Sequence, residues 1–246
     1  MKVSIVINVL NSHEVVRRHI EYFKSMNLPE DVEIIFVDDG SSPPLSFPNC
    51  GLKNLSILYT NDKRPWTQGL ARNLGAKMAK GEFLLMTDVD HIFTKEIIEA
   101  VHAFTGDRMV FIRLYGFLDE NGRIIDDAES LIKFGLAPGR LRTRRGKSAG
   151  MHGNSFAIRK SIFWEIGGYP ENRCIGMMHQ GRRRGEDTYF NGSYATAVVL
   201  GKCKPPELGP SMYMFPIGRF RTDGSTNPQG LFHNLSYEQV VQPMLP

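Results

Sequence analysis

Three groups of polar residues stand where apolar runs of the chain stop: Asn8 to Asn11, Asp38-Asp39, and Asp88-Val89-Asp90. One Asp after a strand is commonly a turn former, its carboxylate bonding the backbone two residues on. Three such groups in one half of one sheet carry more weight. Two carboxylates separated by one residue at a strand's end can both reach one cation. A hard divalent ion takes oxygen ligands and bridges protein carboxylates to a pyrophosphate. Asp88 and Asp90 are therefore the metal and diphosphate candidates. Neither GxGxxG nor GxxxxGK[ST] occurs, so the chemistry is not that of a Rossmann dinucleotide fold or a P-loop.

The cations are unevenly placed. The net charge is +4, yet Arg140 to Asp187 alone holds 11 Lys/Arg against 4 Asp/Glu. The excess lies in Arg140 to Lys147 and in Arg182-Arg-Arg184, both bracketed by glycines (Gly139, Gly146, Gly181, Gly185). Such runs read either as solvated loop surface or as an anion site. Aromatic interleaving and helix-turn-helix or zinc-finger patterns are missing, which argues against nucleic acid.

These groups need strands to hold them. Val3–Val9 and Val32–Val37 are nearly all apolar and rich in β-branched residues, as in strands buried on both faces. Leu55–Tyr59 and Phe83–Thr87 are two more strands. Helices are expected over His13–Met26, with Ser12 as N-cap, and over Thr67–Lys80. In the second, Leu70, Leu74 and Met78 form one stripe and Gly81 ends it. Strand and helix alternate with short connections, which argues for an α/β fold with a mostly parallel central sheet flanked by helices. In such sheets ligands collect outside the carboxyl ends of the strands, where the three polar groups fall.

Beyond residue 100 the pattern loosens. Met109–Leu114 and Ser155–Ile158 read as strands and Lys160–Glu165 as a short helix, with Trp164 packing the core. Prolines 205, 206, 210, 216 and 228 imply a loop-rich C-terminal portion. With 246 residues, no internal repeat and no low-complexity linker, residues 1–246 read as one domain, with 1–100 as its nucleotide-binding half and 101–246 as the remainder.

Composition excludes other classes. The chain is 41% hydrophobic and 23% charged, an ordinary globular balance. No apolar run reaches the length of a spanning helix, and Met1-Lys2 leads straight into a core strand rather than a signal peptide. Cys50, Cys174 and Cys203 are far apart, with neither disulfide-framework nor zinc spacing, so a cytoplasmic home is expected, with membrane contact at most peripheral through the basic loops.

Four motifs occur in order: Val37-Asp-Asp-Gly-Ser41, Gly69-Leu-Ala-Arg-Asn-Leu-Gly75, Gly81-Glu-Phe-Leu-Leu-Met-Thr-Asp-Val-Asp90 and Gly185-Glu-Asp-Thr188. In that order and spacing the chain resembles a family 2-type glycosyltransferase of the GT-A fold, from residue 3 to about residue 192. Met151 to Lys160, then Ile166-Gly-Gly-Tyr-Pro-Glu171, is similar to the catalytic half of the β-1,4-galactosyltransferase and polypeptide GalNAc-transferase groups. The resemblance implies an inverting, metal-dependent transfer of a sugar from a nucleotide-diphosphate donor, usually UDP-linked, to a hydroxyl of a glycan or other acceptor.

It also implies roles. Asn8, Val9, Asn11, Asp38 and Asp39 would hold the nucleoside, and Arg72 the base or phosphate. Asp88, Val89 and Asp90 form the DxD motif, with Asp90 on Mn²⁺ or Mg²⁺ and Asp88 on the ribose or a metal-bound water. Asp187 would be the general base, with Glu186 bonding acceptor or donor sugar. Read without the resemblance, the acidic pair is a helix N-terminus favoured by the dipole. His233 would be the third metal ligand, with His91 a weaker competitor. The family's Gly-Trp-Gly before the acidic pair is here Gly-Arg-Arg-Arg-Gly. Two other classes stay open. A sugar nucleotidyltransferase needs a Gly-rich basic loop after the first strand, where Asn8 to His13 has no glycine. A non-catalytic nucleotide or nucleic-acid binder would show salt-dependent binding without turnover.

Overall fold

β1 (Val3–Val9) is buried along its whole length, as its apolar, β-branched composition requires. A computed structural model describes residues 1–62, 64, 67–134, 153–171 and 185–215. After β1 come α1 (His13–Met26), β2 (Val32–Asp38), β3 (Leu55–Tyr59), α2 (Gln68–Met78) and β4 (Phe83–Asp88). β5 (His91–Ile92), α3 (Lys95–Ala103), β6 (Arg108–Tyr115), the hairpin β7 (Phe117–Leu118) and β8 (Ile124–Ile125), and α4 (Ala128–Phe134) follow. The chain then runs through β9 (Phe156–Arg159), α5 (Lys160–Glu165), α6 (Glu186–Val199) and β10 (Glu207–Met214).

The main sheet has eight strands in the order β3-β2-β1-β4-β9-β6-β10-β5. β3, β2, β1 and β4 are mutually parallel, β9 is antiparallel between β4 and β6, and β10 runs parallel to β6. Because side chains alternate across a strand, β1 feeds two cores. Val3, Ile5 and Ile7 meet Val16 and Ile20 of α1 and Ile97, Ile98 and Val101 of α3. Val6 faces the opposite side, where Val37, Ala71 of α2, Phe163 of α5 and Phe190 of α6 gather. Each fully buried Val, Ile or Phe contributes about 1.5–3 kcal/mol, so the two apolar layers hold the sheet between its helices.

Several expectations need correcting. The Leu70-Leu74-Met78 stripe is not what seats α2: Met78 is 52% exposed, and the buried positions include Ala71, Gly75 and Ala76. At Gly75 a Cβ would drive into Val6 Cγ1 and lie 3.0 Å from Val37 Cγ2, so the helix rests on small residues because its backbone lies close to the sheet. α2 ends at Met78, and Gly81 instead permits close approach to β1, since a Cβ there would lie 2.6 Å from the Ser4 nitrogen. Ser12 occupies the N-cap position of α1, but its hydroxyl donates to the Leu10 carbonyl (2.8 Å) rather than capping the helix. Trp164 is 39% exposed, with Phe163 taking the buried position beside it. The stretch Glu207–Met214, expected as loop, is strand β10; its register shifts between Leu208 and Ser211, where Pro210 cannot donate a ladder bond.

Candidate active site

The parallel register brings the polar strand ends together. Asn8 lies beside Asp88 across β1 and β4, and Val9 lies beside Asp38 across β1 and β2. The N-terminus of α2 sits over this edge. Thr67, at its N-cap position, donates its hydroxyl to Asp39 Oδ1 (2.5 Å), and Gln68 Nε2 donates to Asp88 Oδ1 (2.7 Å). Asn8 Nδ2 donates to the Gln68 carbonyl (3.2 Å), while its buried Oδ1 finds no hydrogen-bond partner among the described residues.

The two carboxylates of β2's end do different work. Both oxygens of Asp38 are occupied, accepting the Ser41 amide (2.8 Å) and the Leu45 amide (2.6 Å), which builds the loop after β2. Asn11 ties into the same loop: its amide donates to Ser41 Oγ and its Oδ1 accepts the Ser42 amide, each at 2.9 Å. Asp39, in contrast, accepts hydroxyls among the described residues, from Thr67 and from Thr60 (3.3 Å). Burial pushes its carboxyl up from 3.8 to about 6, against the lowering effect of those hydrogen bonds.

Asp88 is held from several sides. Arg72 donates to its Oδ1, and Asn154 Nδ2 donates to Oδ2 (3.0 Å). The Arg72 side chain is 1% exposed and also donates to the Asn154 carbonyl (3.0 Å) and the Tyr169 hydroxyl (3.3 Å). Arg72 thus reaches the site through Asp88. The turn after β4 is pinned from both sides. The Val89 carbonyl accepts His19 Nε2–H (2.8 Å), and the Asp90 carbonyl accepts the Phe215 amide (2.9 Å).

Asp88, Asp90 and His91 each offer a ligand atom, all within 4.8 Å of one another. His91 is buried, its Nδ1 bonded to Ser155 Oγ at 2.6 Å. Burial pushes its pKa down to about 4, so the ring is neutral at pH 7, the form that ligates metals. Two carboxylates and an imidazole are a donor set that suits Mn²⁺.

The acidic pair opens α6. Gly185, at φ 79°, supplies the left-handed turn that enters the helix. Phe190 stacks on Tyr169 (4.6 Å between centroids) and on Phe156 (5.1 Å), clamping α6 to β9 and to the segment that also bonds Arg72. Glu186 is buried and lies within electrostatic reach of Arg72. Asp187 is brought to the Gly153-Asn154 segment: a Cβ on Gly153 would lie 3.5 Å from Asp187 Oδ2.

Asn8, Asp39, Arg72 and Asp88 thus meet around the N-terminus of α2, Asp90 offers a ligand atom beside Asp88, Glu186 lies within electrostatic reach of Arg72, Asp187 lies against the Gly153-Asn154 segment, and Asp38 is committed to its own loop. His233, both basic runs and Trp66 lie outside the described residues. Sequence reasoning assigned no role to Thr67, Gln68, Asn154 or Asn191. Asn154 lies within the stretch Met151 to Lys160, and the other three lie only near the quoted motifs. No described helix is long and apolar enough to cross a membrane.

The family model for glycosyl transferase family 2 matches residues 4–167, which include the β2 and β4 carboxylates but not the acidic pair of α6. The poly(ribitol-phosphate) beta-glucosyltransferase of Bacillus spizizenii is 30% identical over 157 residues, covering 57% of this chain and 25% of that protein. The poly(ribitol-phosphate) beta-N-acetylglucosaminyltransferase TarS of Staphylococcus aureus is 28% identical over 129 residues, covering 50% of this chain and 22% of that protein. The matched stretch therefore spans about a quarter of the length of these curated relatives.

Among solved structures, S. aureus TarS 1-349 in complex with UDP superimposes with a TM-score of 0.51 at 18% identity, over 87% of this chain and 60% of that one. Mannosyltransferase PcManGT from Pyrobaculum calidifontis, in complex with GDP-Man and Mn²⁺, gives 0.51 at 15% identity, over 85% and 56%. At that identity the likeness speaks to the fold. With the family match over most of its length, the chain belongs to glycosyl transferase family 2 and has the GT-A fold.

Proposed function

We propose that this chain transfers a sugar from a UDP-linked donor to an acceptor hydroxyl with inversion at the anomeric carbon. The observation that carries the reading is the shared network. Thr67 and Gln68 at the start of α2 bond Asp39 and Asp88, Asn154 also bonds Asp88, and Asn191 bonds both the Gly153 carbonyl and the Asp187 carbonyl, so the Gly153-Asn154 segment links the two ends of the site. Residues 1–100 serve the nucleotide and the remainder the acceptor. Asp39 is the carboxylate left to accept a base N–H, since Asp38 is committed to its loop. Asn8 Oδ1, buried without a partner among the described residues, faces the same edge as a second acceptor for the nucleoside.

Asp88, Asp90 and His91 would hold a divalent cation, which supplies neutralisation of the diphosphate leaving group. Arg72 orients Asp88 from behind. Asp187 accepts the acceptor's hydroxyl proton as the oxygen bonds to the anomeric carbon and the bond from that carbon to the diphosphate oxygen breaks, releasing UDP. The named relatives act on poly(ribitol phosphate), a polyanion, and the excess of cations between Arg140 and Asp187 suits an acceptor of that charge here.

The test is a thermal-shift screen of UDP, GDP, CMP and dTDP with and without Mn²⁺, on wild type and Asp90→Ala. Nucleotide at 100 times its dissociation constant stabilises by about 2.7 kcal/mol. The expected outcome is a metal-dependent shift with UDP that Asp90→Ala loses. Absence of a shift with every nucleotide contradicts the reading.

A further inference from the structure

We infer that Arg108 and Asn191 form a brace that sets the spacing between Asp88 and Asp187, with Asn191 the positioning residue; the inference rests on the reading of Asp187 as the base. Arg108 opens β6 and is 4% exposed, yet among the described residues no carboxylate pairs with it. Its guanidinium lies over the rings of Phe156 (4.4 Å), Tyr194 (4.8 Å) and Phe190 (5.5 Å). Cation–π contacts of this kind stabilise a desolvated arginine without a counterion.

The hydrogen bond that leaves this cage goes from Nη2 to Asn191 Oδ1, at 2.5 Å. A guanidinium can only donate, so this contact dictates which way the Asn191 amide is turned. Its Oδ1 faces Arg108 and its NH₂ must face away. There Nδ2 donates to the Asp187 carbonyl (2.6 Å) and to the Gly153 carbonyl (3.2 Å). The first bond fixes the opening turn of α6, which carries Asp187. The second fixes the residue before Asn154, which donates to Asp88 Oδ2. One amide therefore ties the base's helix to the segment that grips the donor-side carboxylate. A Cβ at position 153 would lie 2.7 Å from Asn191 Nδ2, so a side chain there would push this amide out of place.

A core-filling role for Arg108 would need the aromatic cage alone. It would not require an amide turned so that its two donated bonds land on two different site segments. Asn191→Asp separates the two roles. It keeps an oxygen for Arg108 and makes that contact an ion pair, but it replaces the donor toward Asp187 and Gly153 with an acceptor facing two carbonyl oxygens.

The experiment compares UDP-sugar turnover and UDP binding by calorimetry in wild type, Asn191→Asp, Arg108→Met and Arg108→Lys. The expected result is kcat about tenfold or more lower in Asn191→Asp, because small misplacements of reacting groups cost that much, with donor KM and UDP affinity within about threefold. Arg108→Met should lower kcat comparably and Arg108→Lys less, since lysine still offers a donor to Oδ1. If wild type turns over and Asn191→Asp stays within twofold of it, the brace is overturned while the transferase reading stands. A kcat loss that only follows loss of folded protein also overturns it. Wild type without turnover on any nucleotide-sugar overturns the transferase reading itself.

Discussion

Asp39 links the site's chemistry to the protein's stability, and Asp39→Asn measures the link. Its carboxyl ionises near 3.8 in ordinary surroundings and at about 6 in the fold, with burial as the main cause. Between those values the unfolded chain has released the proton and the folded protein has kept it. The unfolded state then binds fewer protons, so stability falls as pH rises from about 4 to about 6 and stays low above that. A difference of roughly two units corresponds to about 3 kcal/mol. Asparagine removes this penalty, and its Oδ1 can still accept from Thr67 and Thr60.

At about 2–4 °C per kcal/mol for a chain of this size, Asp39→Asn should melt roughly 6–12 °C higher than wild type at pH 7.5. Near pH 4 the two should melt together. The assay is differential scanning fluorimetry from pH 4 to 8. A variant no more stable than wild type at pH 7.5, or one whose gain is the same at every pH, refutes the reasoning. The same substitution should weaken UDP binding about tenfold, because a neutral acceptor replaces a charged one. Wild-type UDP affinity should likewise decline as pH falls through about 6.

Two other substitutions test how the site is held. Gly75→Ala should lower stability by about 1–3 kcal/mol, read by chemical denaturation, because the new Cβ meets Val6 and Val37; a gain near the 1 kcal/mol of helix propensity would mean α2 can move off the sheet. Arg72→Lys should weaken metal-dependent UDP binding about tenfold in calorimetry, since one ammonium cannot replace a planar fork that reaches Asp88, Asn154 and Tyr169. Unchanged binding in that variant would show that Asp88 needs no support from behind.

The first half of the fold was legible because its signals agree. β1 to β4 are apolar runs that stop at polar residues, and a parallel sheet aligns those stops, so Asn8, Asp38 and Asp88 could be gathered from the sequence. The face of α2 misled because size was read as burial. Leu70 and Leu74 are half-buried at its flank, and close packing on the sheet selects Ala71 and Gly75 instead. α6 carried little periodic signal, since Tyr189, Val199 and Leu200 are exposed while Phe190, Tyr194 and Ala197 are buried. β10 was hidden by Pro210, whose place is the strand's irregularity. Within the site, carboxylates announce themselves by type, but the amides that orient them do not. Asn154 and Asn191 matter through partners distant in sequence, Asp88 and Arg108, and no local pattern encodes those pairings.

The measurement that tests the central claim most directly pairs turnover with binding in Asp187→Asn. With a UDP-sugar and an acceptor supplied, the substitution should abolish transfer, read as UDP release, while calorimetry finds UDP affinity close to wild type, because the proposed role of Asp187 is to meet the acceptor's proton and not the nucleotide. Full turnover in Asp187→Asn would contradict the account, as would loss of UDP binding in step with loss of activity.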